Sequence, residues 1–367
     1  MPSLELEQRK RAIIDAHVRP ADSRGWMEVL TTLVPLAALW VVAVQGARVS
    51  SWVTIAMTML IGLFVLRAFV LMHECGHGSL FRSGRLNRVF GFAFGVIVGM
   101  PQYVWSRNHQ YHHSTNGDWE KFRGVLNTCS VDEYEGWSLR RRRSYRRARN
   151  IWTAPFAGLM YLIVYPRLNW LAGTVGLLCQ ALATKSANPA VPMADIVAGY
   201  KTKCWDSVRS YRHMTWNNIA VCGLYVVLSW LLGTVLFFSI YAVSVALAGA
   251  AGIILFTVQH NFEHAYATDS TQWDADRGAL QGTSLLVLPG WLNWVTANIG
   301  YHHVHHLSAA IPGYHLVACH RQYQHLFTDV RRISLRQIPA HLKCILWDRD
   351  AARIISIVDH DRQRAGR

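Results

Sequence analysis

Charge is what this chain of 367 residues has least of. Asp, Glu, Lys and Arg together make up 16% of it, against about 25% in ordinary soluble domains. The shortage is concentrated. No charged residue occurs from Val29 to Ala47, from His213 to Phe262, or from Gly278 to His320. The middle gap of 50 residues is too long for one buried helix and suits two membrane crossings, each needing roughly 20 apolar residues. Cysteine is sparse and unpaired by pattern: seven, with no Cys-x-x-Cys. A disulfide scaffold is excluded, and a reducing compartment is the default. Acidic residues are fewer than basic ones, 22 against 37. In a chain with such apolar runs, that surplus marks cytoplasmic loops and argues against nucleic acid as a partner.

The segments from Val29 to Gly46 and from Ser51 to Met72 predict a helical hairpin, with Arg67 snorkelling to the interface. A second hairpin is expected within His213 to Gln259. The stretches 89–106 and 151–184 either cross the membrane or lie in the interface, the latter crossing twice or not at all. The expected fold is an all-α integral membrane protein with two transmembrane hairpins, about four crossings or six, and a cytoplasmic cap. The boundaries expected are 1–27 for a cytoplasmic N-terminal segment, 28–325 for the membrane domain with its cap, and 326–367 for a basic cytoplasmic tail. Lys185 to Cys204 is left as a loop of open role.

Histidine is the anomaly. There are 18, and eleven fall into four clusters: His73-x3-His77, His109-x2-His112-His113, His260-x3-His264, and His302-His303-x-His305-His306. Residues three and four apart share a helical face, so each cluster can aim imidazoles at one point. Neutral imidazole suits iron, zinc, copper and nickel. One His pair is more often a polar patch, but four at the ends of apolar segments point to function. Their number exceeds the needs of one ion and predicts a two-metal site. A carboxylate-bridged site needs a Glu-x2-His motif on each of two helices. Only Glu74 and His77 supply one.

The strings HECGHGSLF from His73, VQHNFEHAY from Val258 and NIGYHHVHHLSAAIPGYHL from Asn298 resemble the integral-membrane fatty acid desaturases of the acyl-lipid omega-6, Δ12 and bacterial Δ5 type. That resemblance implies two non-haem irons, dioxygen as co-substrate, and removal of two hydrogens from an acyl chain to leave a cis double bond. It implies His73, His77, His109, His112, His113, His264, His302, His305 and His306 as ligands. His264 stands as the extra histidine between boxes, and His260 as a water-linked or further ligand. Glu74, Asp118, Glu120, Glu263 and Asp269 are candidates to fix the imidazole tautomers. Trp105, Trp119, Trp291 and Trp294 are candidates for an acyl channel or for headgroup anchors. His303 is expected to support a ligand from behind or to point away from the metals, because only His302 completes the His-x2-His-His pattern. The implied partners are a membrane acyl lipid and an electron donor such as ferredoxin or a b5-type cytochrome, with Arg140 to Arg149 as a docking surface. The implied location is a bacterial inner membrane, with the boxes and both termini cytoplasmic. A fatty acid or alkane hydroxylase, a carotenoid ketolase, and, in a different class, a histidine-rich metal transporter are the competing functions.

Overall fold

A computed structural model describes residues 4–124 and 127–365. After α1 (Leu4–His17), α2 (Asp22–Gly46) and α3 (Ser51–His77) form the first hairpin. Ser50 caps α3 by accepting from the Trp52 N–H. Gly78, at φ 73°, ends it one residue after His77 in the left-handed conformation that glycine tolerates. Next come α4 (Gly84–Val98) and α5 (Gln102–Thr115), bent by 100° across Gly99 to Pro101. Gly99 takes φ 80°, and Pro101 cannot continue the preceding helix. A cap segment follows: β1 (Cys129–Ser130), α6 (Val131–Gly136) and α7 (Leu139–Ala148).

The chain re-enters the apolar layer through α8 (Ala154–Leu159), a π-helical turn at Met160–Val164, and α9 (Tyr165–Ala187). After α10 (Met193–Gly199), α11 (Val208–Leu232) and α12 (Thr234–His260) form the second hairpin, turning at Gly233. The remainder belongs to the cap: α13 (Ala275–Leu280), β2 (Ser284–Val287), α14 (Gly290–Val295), α15 (His302–Leu307), α16 (Gly313–Tyr323), β3 (Arg331–Ser334), α17 (Ile338–His341), β4 (Cys344–Asp348), β5 (Arg353–Ser356) and α18 (Ile357–Ala365). Five helices are long and apolar enough to cross a membrane, and the bent α4–α5 pair would make six. Both expected hairpins are among them, in a largely helical membrane protein.

The structure adds to these expectations and changes one. The C-terminal segment, expected as a basic tail, is folded. β3 pairs in parallel with β2, and β4 lies between β1 and β5. Ile345, Leu346 and Ile355 bury there against Tyr134 and Tyr145. These short strands lie outside the expected all-helical pattern. Arg67 does not snorkel. It is 1% exposed, paired with Glu28, bonded from Nε to Thr32 Oγ1 at 2.9 Å, and stacked on Trp294. Its guanidinium also donates to the Trp294 carbonyl. Arg167, beside Pro166, likewise turns inward. It bonds Asn218 at 2.7 Å and Asn217 at 2.6 Å and donates to the Gly99 carbonyl. Irregular backbone at membrane depth needs internal partners, and each arginine supplies one.

The helices pack closely where side chains vanish. A Cβ on Gly158 would lie 2.5 Å from the Gly249 backbone, and one on Gly249 would lie 2.5 Å from Gly158. Gly158→Val should therefore separate α8 from α12 and lower the thermal midpoint in detergent. Arg67→Leu should cost about 3–5 kcal/mol, because Glu28 and a backbone carbonyl are left buried without their partner. Denaturation followed by circular dichroism checks both. An unchanged midpoint for Arg67→Leu would contradict the buried role.

Candidate metal centre

Four helix ends bring their histidines to one place. α3 ends on His73 and His77, α5 carries His109, His112 and His113, α12 ends on His260, and α15 holds His302, His305 and His306. They form two groups, within each of which the ligand nitrogens lie within 4.8 Å of one another. The first is His73, His77, His109, His113 and His305. The second is His112, His260, His302 and His306. The groups adjoin: the His113 and His306 rings stack with centroids 4.1 Å apart.

The nitrogens face each other in a way that neutral imidazoles alone would not favour. His109 Nε2 lies 2.9 Å from both His73 Nε2 and His113 Nε2. His77 Nε2 is 3.2 Å from His73 Nε2. His260 Nε2 is 3.1 Å from His112 Nε2 and 2.9 Å from His302 Nε2. A neutral ring has one donor and one acceptor nitrogen, so such a knot of Nε2 atoms cannot satisfy itself with protons. Both nitrogens of His305 and Nε2 of His306 are buried without a hydrogen-bond partner, a costly arrangement for polar atoms. Cations resolve both difficulties, so the donor set fits bound metal. Burial, and then the surrounding imidazoles, push His302, His305 and His306 well below the usual imidazole range. These rings stay neutral, with a lone pair free to coordinate.

Around the knot, Glu74 Oε1 approaches His73 Nδ1 at 3.5 Å. Its other oxygen accepts from Ser79 Oγ at 2.9 Å and from the Gly313 N–H at 2.8 Å. His260 Nδ1 lies 3.3 Å from the Gly282 carbonyl. Among the described residues, Glu74 is the one of the five acidic candidates in contact with a grouped histidine. Asp118 is buried but serves its own loop, pairing with Lys121 at 2.8 Å and accepting from Ser270 at 2.7 Å. Asp269 pairs with Arg349. Glu120 is exposed, and Glu263 is exposed beside His264.

His264 does not join the histidines, whereas His260, expected as a water-linked or further ligand, does. The four-residue spacing between them would share a face only if the helix continued. α12 stops at His260, where Asn261 leaves the helix to bond Thr128 Oγ1 at 2.9 Å. His264 then adopts φ 69°, with its ring 2.9 Å from the Arg353 guanidinium and 56% exposed. His303 also stays outside both groups, buried against His320 Nδ1 at 2.9 Å.

Beside the histidines is an apolar cavity of about 250 Å³. His109 of one group and His112 of the other form part of its wall, with Trp105, Phe122, Phe256 and Tyr161. Trp105 is the one expected channel tryptophan that lines it. Its indole stacks on His109 with centroids 4.6 Å apart and donates to Tyr161 Oη at 2.9 Å. Trp119 instead stacks on Trp347 within the cap. Trp291 and Trp294 stand exposed on α14. Phe122, Tyr161 and Phe256 escaped sequence reasoning, because an aromatic in an apolar run carries no local mark of facing a cavity.

Metal content separates the two disputed histidines. His260→Ala should lose about one metal per chain on purification, whereas His264→Ala should keep both. His303→Gln should keep both, and His302→Gln should lose at least one. Elemental analysis of the detergent-purified variants checks these four outcomes. Loss of metal in His264→Ala with retention in His260→Ala would reverse the assignment.

The family model "Fatty acid desaturase" matches residues 50–336. A "Fatty acid desaturase" of Bacillus subtilis (strain 168) is 30% identical over 344 residues, 94% of this chain and 88% of that protein. A "Temperature-sensitive sn-2 acyl-lipid omega-3 desaturase (ferredoxin), chloroplastic" of Arabidopsis thaliana is 25% identical over 80% of this chain and 61% of its own length. An "Omega-3 fatty acid desaturase, chloroplastic" of Sesamum indicum is 27% identical over 68% of this chain and 50% of its own length. The match spans α3 to β3, and so includes every helix that contributes to the two histidine groups. This chain therefore belongs to the fatty acid desaturase family.

Proposed function

We propose that this protein is a membrane oxidoreductase that introduces a cis double bond into a lipid-linked acyl chain, using dioxygen and two electrons. The observation that carries this reading is one apolar cavity walled by a histidine from each metal group. A chain lying in it would pass both metals at once. Two non-haem irons held by the five and four histidines would supply the oxidising power that an unactivated C–H bond demands. The protein's own part is to hold neutral ligands in fixed orientation, to seat the chain between Trp105, Phe122 and Phe256, and to keep water away from it. Glu74, whose carboxylate stands 3.5 Å from His73 Nδ1, would favour the tautomer with the proton on Nδ1 by its charge, which leaves Nε2 for the metal.

The orientation proposed is cytoplasmic for the cap. Along α9, Arg167, Trp170 and Thr174 meet Asn217, Thr215 and Tyr211 of α11 in turn. The two helices thus run antiparallel, and α9 heads toward the start of α11. That start is tied to α5, through Asp206 to Arg107 at 2.8 Å and through His213 stacked on Tyr103. These contacts support a stretch 151–187 whose far end lies on the histidine side, as a helix resting in the interface would have it. All the boxes then share a side, and the arginine-rich α7 makes that side cytoplasmic.

An external electron donor is needed, and an acidic carrier such as a ferredoxin or a b5-type cytochrome fits the cap. Several α7 arginines are engaged in the fold: Arg146 binds Tyr134 and Asp361, and Arg142 reaches the Trp137 carbonyl. Arg140, Arg143 and Arg147 are exposed, three and four apart on one face. The Arabidopsis relative carries ferredoxin in its name.

Gas chromatography of fatty acids from a host expressing the chain should show a new unsaturated species, absent with His109→Ala. Oxygenated acids or no new product would refute the desaturase reading. Replacing Arg140, Arg143 and Arg147 by Gln should slow reduction at low salt and matter less at high salt, since steering is screened. Stopped-flow reduction by the donor checks this. Equal rates at low salt would remove α7 as the docking face.

A further inference from the structure

The cavity has a direction, given by the side of α12 that lines it. Phe256, Ile253, Gly252, Gly249 and Ala248 all contribute to the wall. Phe256 marks the metal end: its ring lies 5.1 Å from that of His112 and 4.9 Å from that of His260. At 1.5 Å per residue, Gly252 lies about 6 Å further into the apolar layer, and Ala248 about 12 Å. Around the deep end the wall is Leu162, Ala248 and Gly249. Asn108 and Gly124 stand at the cap end. Burying an ester or carboxylate among apolar groups is costly, so the deep end takes the methyl terminus and the cap end takes the polar one.

The two glycines on this wall differ. Gly249 is obligatory for packing, because its missing Cβ makes room for the Gly158 backbone. Gly252 is free of that duty: a Cβ there would meet only Leu66 Cδ1, at 4.0 Å. Nothing in the helix packing requires glycine at 252, and its emptiness enlarges the cavity partway along its length. We propose that Gly252 is a specificity-determining residue, whose lack of a side chain sets how much acyl chain fits on the methyl side of the metals. This rests on the desaturase reading above and adds to it which residue measures the chain.

The test compares wild type with Gly252→Ala and Gly252→Leu, each expressed in a host fed saturated acids of graded length. A pocket that loses room for one methylene discriminates by about 10- to 200-fold. Gly252→Leu should therefore cut the preference for long over short chains by about tenfold or more, or move the double bond toward the methyl end. Gly252→Ala should lie between. A second measurement needs no variant. A saturated fatty acid with a photoreactive diazirine near its methyl end should label Leu162 or Ala248 in wild-type membranes, read by mass spectrometry. A wild type that forms no unsaturated acid would refute the desaturase reading itself. An active wild type, with Gly252→Leu keeping its metal and showing the same lengths and positions, would overturn the role of Gly252. So would labelling confined to Asn108 and Gly124.

Discussion

A backbone that breaks among apolar helices must find partners for its exposed carbonyls, and the histidine site exists because this chain meets that demand twice. At Gly99 the α4–α5 pair turns through 100°, which swings His109, His112 and His113 across the end of α3. Arg167 donates to the Gly99 carbonyl and Asn217 to that of Met100. At α14 the chain turns again, against α3, before Ala297 and Asn298, both at positive φ, deliver it to α15. Arg67 holds that turn by the Trp294 carbonyl. Both arginines are anchored from other helices, Arg67 through Glu28 and Thr32 and Arg167 through Asn217 and Asn218. Losing either anchor would loosen a helix that carries ligands, with no change at the metals themselves.

Much of this was legible in the sequence, and the failures share a cause. Hairpins announce themselves by the absence of charge, and the boxes by histidine spacing. Arg67 was read as snorkelling because it is one charge near the end of an apolar run. Its partner Glu28 lies 39 residues away, and no local pattern connects them. His264 failed because spacing predicts a shared face only while a helix lasts, and the end of α12 is set by tertiary bonds from Asn261 to Thr128 and Cys344. The strands of the C-terminal segment were missed for the same reason. β4 is five residues long, and its partners come from residue 129 and residue 353.

The split between the two histidine groups follows from helix geometry. Successive residues turn by about 100°, and residues four apart fall nearly in line. On α5, His109 and His113 are such a pair and serve the first group. His112 is rotated back to one side and serves the second. α15 uses the same three-residue pattern with the roles exchanged. His302 and His306 are the aligned pair in the second group, and His305, rotated to the same side, belongs to the first. A His-x2-His-His box therefore lets one helix contribute to both groups, whereas the His-x3-His pair on α3 serves only the first. The same rotation explains His303. It lies about 100° from His302 on the flank opposite His305, facing away from both groups and toward His320. Two boxes that each contribute to both groups tie the groups together, and α5 presents one histidine of each, His109 and His112, to the cavity wall. The placing of the cavity wall against both groups thus rests on a single helix, α5, whose direction depends on the turn that Arg167 holds.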